Sequence, residues 1–145
     1  MNSKYDVVII GAGAAGMMCA IEAGNRGRKV ILLDHAKKIG EKIRISGGGR
    51  CNFTNIYSHP KKFISLNPDF IISALKQYTH ENFISLMNKH HIKFHEKKLG
   101  QLFCDDSAQQ IIDMLKFECL QANVTLINNI SIDFIYKSDF FITKT

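Results

Sequence analysis

The chain has no tryptophan, only two prolines and only four cysteines among 145 residues. Scarce proline together with 46% hydrophobic residues excludes a disordered or collagen-like chain. The cysteines, Cys19, Cys51, Cys104 and Cys119, form no CxxC or other close pair, so neither a zinc site nor a dithiol redox motif is encoded. Cys19 and Cys119 fall in helical apolar patterns and are expected as small core residues. The apolar stretch from Val7 to Ile21 has 15 uncharged residues, short of the roughly 20 that cross a bilayer. It also fails as a signal peptide, because Asp6 stands where a positive region belongs and no cleavage-like site follows before Glu22. The expectation is a cytoplasmic protein with no membrane partner and one core, burying about two-thirds of its unfolded surface.

The net charge of +6 comes from 19 basic and 13 acidic side chains. Lysines are scattered in pairs, Lys37-Lys38, Lys61-Lys62 and Lys97-Lys98, without the aromatic interleaving of a single-strand binder. No nucleic-acid partner is therefore expected.

What the chain does contain is concentrated between Tyr5 and Asp34. Val7 to Ile10 form a β-branched apolar run, read as a central parallel strand buried on both faces. Gly11-Ala12-Gly13-Ala14-Ala15-Gly16 follows at once. The first glycine permits a tight turn, the second lets the backbone approach a pyrophosphate, and the third brings the helix close to the strand. A helix is read from Ala14 to about Asn25, with unsatisfied N-terminal amides aimed at the anion. Gly24 and Gly27 punctuate its end. Lys29 to Leu33 make the second strand, and Asp34 stands 18 residues after Gly16, close to the spacing of about 20 for a ribose-binding acid. Its carboxylate would repel a 2′-phosphate, which favours FAD or NAD over NADP. The rivals are a βαβ unit whose glycines serve packing only and a methyltransferase-like turn for S-adenosylmethionine.

Further along, residues 35–55 are polar, basic and glycine-rich, a binding loop with a helical turn near Gly40 to Arg44. Asn67-Pro68 opens a helix reaching about Tyr78. Thr79 caps another, whose apolar face is Phe83, Leu86, Met87 and His90. Ile92 to Cys104 reads as two short strands joined around Lys97 to Gly100. Ser107 and Gln110 form a capping box for a helix buried through Ala108, Ile111, Ile112, Leu115 and Cys119. A strand over Val124 to Ile127 precedes a hairpin of Ile130 to Tyr136 and Phe140 to Thr143. The fold class is α/β: a Rossmann-like unit with a parallel central sheet, a helical excursion and a late β-hairpin.

Gly47-Gly48-Gly49 tolerate positive φ and can set successive amides on one concave side, an anion-binding nest. Arg50 adds a planar charged donor. Ser46, Asn52, Thr54 and Asn55 add neutral hydrogen-bonding groups suited to a heteroaromatic edge as much as to a phosphate.

At these residues the chain resembles the BaiN-type (YhiN-type) FAD-dependent oxidoreductases, a group that includes proteins named aminoacetone oxidase. The segments DVVIIGAGAAGMMCAIEAG and KIGEKIRISGGGRCNFTN carry the resemblance, and LGQLFCDDSAQQII extends it with Gln101 and Cys104 where the family usually has arginine and proline. The resemblance implies that Gly11, Gly13, Ala14, Ala15 and Gly16 surround the FAD pyrophosphate, while Asp34 and His35 hold the adenosine ribose. It sets Lys42, Ser46, Gly47, Gly48, Gly49, Arg50, Cys51 and Asn52 along the flavin half, and the backbone of Ile130 at the adenine edge. It further implies that residues 1–145 are the N-terminal part of an FAD-binding domain. The later ATGG-like strand, the substrate domain and the C-terminal Gly-Asp segment are absent, with a separately encoded C-terminal half as a candidate partner.

The expected function is hydride transfer between flavin and an organic substrate or NAD(P)H. No residue can be named as a proton donor, and the small-molecule substrate is not identified. The alternatives are a catalytically silent dinucleotide-binding remnant or interaction module, and an NAD- or S-adenosylmethionine-binding domain. His90, His91 and His95 are not expected to bind metal, for want of a further ligand. Cys51 is expected to pack near the cofactor, and Asp105-Asp106 to compensate a helix N-terminus.

Overall fold

A computed structural model describes residues 4–145. They divide into two compact units, one formed by residues up to Ile43 together with Ile112–Thr145 and the other by Arg44–Ile111.

The first unit is built on three parallel strands, β1 (Val7–Ile10), β2 (Val30–Leu33) and β6 (Thr125–Ile127), in the order β1-β2-β6. Val7 pairs with Val30 and Ile10 with Leu33, while Ile31 pairs with Thr125 and Leu33 with Ile127. The central strand is thus β2, all four of whose residues are buried. β1 lies at the edge of the described sheet and alternates, leaving Val8 and Ile10 exposed at 41% and 53%. Its unbroken apolar run had suggested a strand covered on both sides. Composition reports the cover a strand is suited to; in the described sheet β1 is hydrogen-bonded to β2 alone.

That helix, α1 (Ala14–Asn25), buries Met17, Ala20 and Ile21. Its 12 residues end as the glycine spacing requires: Gly27 takes φ +74, its N–H donates to the Gly24 carbonyl at 2.8 Å, and the Arg28 N–H reaches the Ala23 carbonyl at 3.1 Å. This is a Schellman closure. Gly24 has a different role from termination, because a Cβ there would lie 2.3 Å from the Ala122 carbonyl oxygen. Ala122 directly follows α5 (Ala108–Gln121), which buries Ile112, Met114, Leu115 and Cys119 in this unit. The Cys119 thiol donates to the Met17 carbonyl at 3.7 Å. Burying side chains such as Met17, Leu32 and Leu115 contributes about 1.5–3 kcal/mol each. Cys19, expected in this core, is exposed, because it sits on the opposite side of α1 from Met17 and Ala20. The hairpin closes the unit as β7 (Phe134–Lys137) paired with β8 (Phe141–Lys144).

In the second unit, β3 (Asn52–Asn55), β5 (Gln101–Cys104) and β4 (Phe94–Glu96) form an antiparallel sheet in the order β3-β5-β4. A bulge separates the pair Asn52–Phe103 from Thr54–Leu102. One face is covered by α4 (His80–Lys89): Phe53 meets Phe83 of that helix at 5.7 Å and Phe94 at 5.5 Å between ring centroids. Thr79 and Asn82 form a reciprocal capping box at the start of α4. His90, read as part of its apolar face, instead caps its C-terminus. The preceding helix, α3 (Phe70–Gln77), starts two residues later than Pro68 suggested. The expected box at the start of α5 is not formed either. The Ser107 hydroxyl accepts from the Gln109 N–H at 3.1 Å, and the Gln110 side-chain amide donates to Asp106 at 3.4 Å.

Candidate nucleotide-binding segments

The turn between β1 and α1 is set by backbone contacts that leave little freedom at one glycine. A Cβ on Gly16 would lie 1.8 Å from the Gly11 carbonyl oxygen and 3.5 Å from Ile9. Only glycine allows that approach. Gly11 takes φ +101, and a Cβ at either Gly11 or Gly13 would meet nothing within 4 Å. Gly13 is the N-cap of α1, with no side chain capping the helix. Open space therefore faces a helix N-terminus whose first amides lack intrahelical partners, the arrangement that suits a diphosphate without any lysine.

Asp34 ties this turn to the end of β2. Its carboxylate accepts from the Ala12 N–H at 2.5 Å and from the Ala36 N–H at 2.7 Å, and its side chain is 11% exposed. A carboxylate has about four acceptor positions, so two remain for hydroxyl donors. His35 is 85% exposed, its Nδ1 3.7 Å from the nearer Asp34 oxygen. The Ile130 N–H donates to the Asp34 carbonyl at 3.1 Å, which brings Ile130 beside the acid but commits its amide hydrogen. Any contact from the Ile130 backbone to a ligand would thus use its carbonyl. Residues 34–40 are held from both ends: Gly40 N–H donates to the Ala12 carbonyl at 3.0 Å, and the Asn128 side-chain amide to the Lys37 carbonyl at 2.7 Å. The reading of the sequence missed Ala12, Gly40 and Asn128. Gly40 had a recoverable signal as a glycine just before a helical turn, here α2 (Glu41–Ile45), on which Lys42 is exposed.

In the second unit, Gly47, Gly48 and Gly49 take φ +58, +66 and +86 within a short 3-10 segment, Ser46–Gly49. The positive angles are as expected, but the amides that follow turn inward, since the N–H groups of Arg50 and Cys51 both donate to the Ser46 carbonyl. Gly47 is also a packing position: a Cβ there would lie 2.7 Å from the Phe103 ring. Gly48 and Gly49 face open space. The Arg50 side chain is exposed and its carbonyl accepts from the Cys104 N–H at 2.9 Å. Asn52 starts β3 opposite Phe103.

Cys51 is buried, and burial pushes its thiol pKa up despite a hydrogen bond with the Ser46 side chain. Burial first, then the neighbouring Cys51 and Asp105, pushes Cys104 up to about 12. Burial, with Glu118, raises Cys119 to about 11. All three are neutral thiols at pH 7, unlike activated nucleophiles. His91, with φ +55, follows the end of α4, and His95 lies in β4, so they do not share a helix face. Among the described residues no group of three or more His, Cys, Asp or Glu could hold a metal ion. Asp105, two residues before the Ser107 that precedes α5, also accepts from His95 Nδ1 at 2.7 Å. Nor is any described helix long and apolar enough to cross a membrane.

Comparison with known proteins agrees with this geometry. The chain is 61% identical over 122 residues to the ribosomal RNA dihydrouridine synthase of Escherichia coli K12, covering 84% of this chain and 30% of that protein. It is 30% identical over 132 residues to a 3-dehydro-bile acid delta(4,6)-reductase of Clostridium scindens, covering 86% and 31%. The chain therefore spans about a third of the length of these relatives. Among solved structures, it is similar in fold to the 3-ketosteroid-delta4-(5alpha)-dehydrogenase of Rhodococcus jostii RHA1, with a TM-score of 0.62 at 14% identity, covering 90% of this chain and 39% of the other. It also resembles the halogenase PltM in complex with phloroglucinol and FAD, with a TM-score of 0.51 at 19% identity, covering 98% and 32%. The model of the HI0933-like protein Rossmann domain matches residues 5–145, and the chain belongs to that family.

Proposed function

We propose that residues 1–145 form the N-terminal portion of an FAD-binding domain, and that the whole polypeptide reduces a carbon–carbon double bond conjugated to a carbonyl. The observation that carries the coenzyme reading is the β1–α1 turn, where Gly16 rests against the Gly11 carbonyl while Gly11 and Gly13 leave the space before the helix open. In this reading Gly11, Gly13, Ala14, Ala15 and Gly16 present backbone to the diphosphate. Asp34 uses its remaining acceptor positions on the adenosine ribose, with His35 beside it, and the Ile130 carbonyl meets the adenine edge. Lys42, Ser46 to Gly49, Arg50, Cys51 and Asn52 are assigned to the flavin half from their motif. FAD, when bound, supplies the hydride exchange, with NAD(P)H as its reductant.

The substrate class is drawn from the relatives' names. A dihydrouridine synthase saturates the C5–C6 bond of a uracil ring, and a 3-dehydro-bile acid delta(4,6)-reductase saturates a bond in conjugation with a ketone. In both names the bond concerned is conjugated to a carbonyl, which would polarise it toward hydride. A uridine of ribosomal RNA is the first substrate to test, which departs from the expectation of no nucleic-acid partner.

Titration of the purified chain with FAD, followed by flavin absorbance and by calorimetry alongside NAD and S-adenosylmethionine, tests the coenzyme. FAD should bind most tightly. A chain that stays colourless in excess FAD, or that prefers S-adenosylmethionine, would overturn the reading.

A further inference from the structure

The antiparallel sheet of the second unit has two unlike faces. The one against α4 carries Phe53, Phe94 and the buried Leu102 and Cys104. On the other, His95 stands opposite Phe103, and Phe103 opposite Asn52. The ladder continues beyond β4 through the Asp105 N–H to the Lys93 carbonyl at 3.0 Å and the Lys97 N–H to the Gln101 carbonyl at 3.0 Å. Strand alternation then sets Lys93, His95 and Lys97 in one row on that face. The contacts agree: the His95 ring stacks on Phe103 at 6.4 Å between centroids, and Lys97 Nζ lies 5.2 Å over the same ring. Lys93, His95 and Lys97 are all exposed.

One acid shares this face, Asp105, which the ladder sets opposite Lys93. Asp105 is engaged by His95 Nδ1 at 2.7 Å, which orients the ring. Glu96 points to the opposite face and accepts from the Gly100 N–H at 2.9 Å. Asp106 accepts from Gln110. The wider unit is biased the same way. Residues 44–111 hold nine of the 19 lysines and arginines, five of the six histidines and only five of the 13 acids.

We propose that this face binds a single strand of RNA, with Lys93 and Lys97 on alternate phosphates and the His95 ring facing the stretch between them. Side chains four residues apart along a strand are separated by about 13 Å, a spacing that matches two repeats of an extended sugar–phosphate chain. Two lysines set well apart along one strand fit an extended charged polymer better than a compact anion. The choice of RNA rests on the substrate reading above.

The test is fluorescence anisotropy of a labelled uridine-containing single-stranded RNA with the purified chain over a range of salt concentrations. The chain should bind, and Lys93→Ala with Lys97→Ala should weaken binding about tenfold at low salt. It should also reduce the slope of log affinity against log salt by about 0.7 per lysine removed. Lys137→Ala with Lys144→Ala, on the hairpin of the other unit, should leave both unchanged. The proposal is overturned if the chain fails to bind RNA, if the two double variants lose affinity equally, or if duplex DNA binds as tightly. FAD titration of the same samples keeps the readings apart. The Lys93/Lys97 variant should retain FAD binding, and loss of FAD binding by the unsubstituted chain would sink the coenzyme reading while the RNA result stands on its own curve.

Discussion

The two glycine segments of this chain solve different problems with the same residue. In Gly11–Gly16 the indispensable glycine is the last, where a Cβ would collide with main chain at 1.8 Å, while Gly13 has an ordinary extended backbone with φ −85 and open space before it. In Gly47–Gly49 the first glycine is wedged over Phe103, and all three hold a left-handed backbone. The first segment therefore separates a glycine the fold requires from one whose surroundings leave room for a side chain. The second mixes both demands, and a loss of function there says less about a ligand.

Substitutions can break or sharpen this contrast. Gly16→Ala should have the largest effect, destabilising the chain by about 3 kcal/mol or more, because the obstacle is backbone rather than a flexible side chain. Chemical denaturation measures it, and a loss below about 1 kcal/mol would contradict the described turn. Gly47→Ala should cost about 2 kcal/mol from ring contact and left-handed strain together, and Gly48→Ala about 1 kcal/mol from strain alone. Equal losses at the two positions would mean that Phe103 does not press on Gly47. Gly13→Ala should change stability by less than about 1 kcal/mol yet weaken FAD binding at least tenfold. Were FAD affinity unchanged, the open space before the helix would not be where the diphosphate lies.

A smaller contrast lies among the thiols. Cys19, exposed, should react with a thiol reagent at pH 7.5 in the native chain, whereas Cys51, Cys104 and Cys119 should react only after unfolding. The folded state raises the pKa of Cys104 to about 12 and of Cys119 to about 11 from 9.0, so the unfolded chain ionises first. The stability these protonated thiols contribute is complete below pH 9 and is lost as pH rises toward 11–12. Thermal unfolding from pH 8 to pH 11 should show the decline, and serine at Cys104 and Cys119 should flatten it.

The sequence announced the first segment well because each residue there acts on a neighbour close in the chain or at a fixed offset. The turn, the helix from Ala14 to Asn25 and the acid at the tip of β2 all follow from local geometry. The capping of α4 by Thr79 was legible for the same reason. What escaped detection depends on distant partners. The use of one Asp34 oxygen by Ala12, the pairing of His95 with Asp105, and the pressure of Ala122 on Gly24 need the tertiary fold. Where β1 sits in its sheet is likewise a property of its neighbours, which its own four apolar residues do not encode.

The hydrogen bond from the Ala12 amide to Asp34 has a kinetic implication. Because that link ties the bend to the end of β2 through the chain's own groups, capture of a coenzyme need not wait for a slow rearrangement of the main chain. Association with FAD should then follow a single concentration-proportional phase in stopped-flow mixing, and removing the carboxylate with Asp34→Asn should introduce a lag that saturates at high coenzyme concentration.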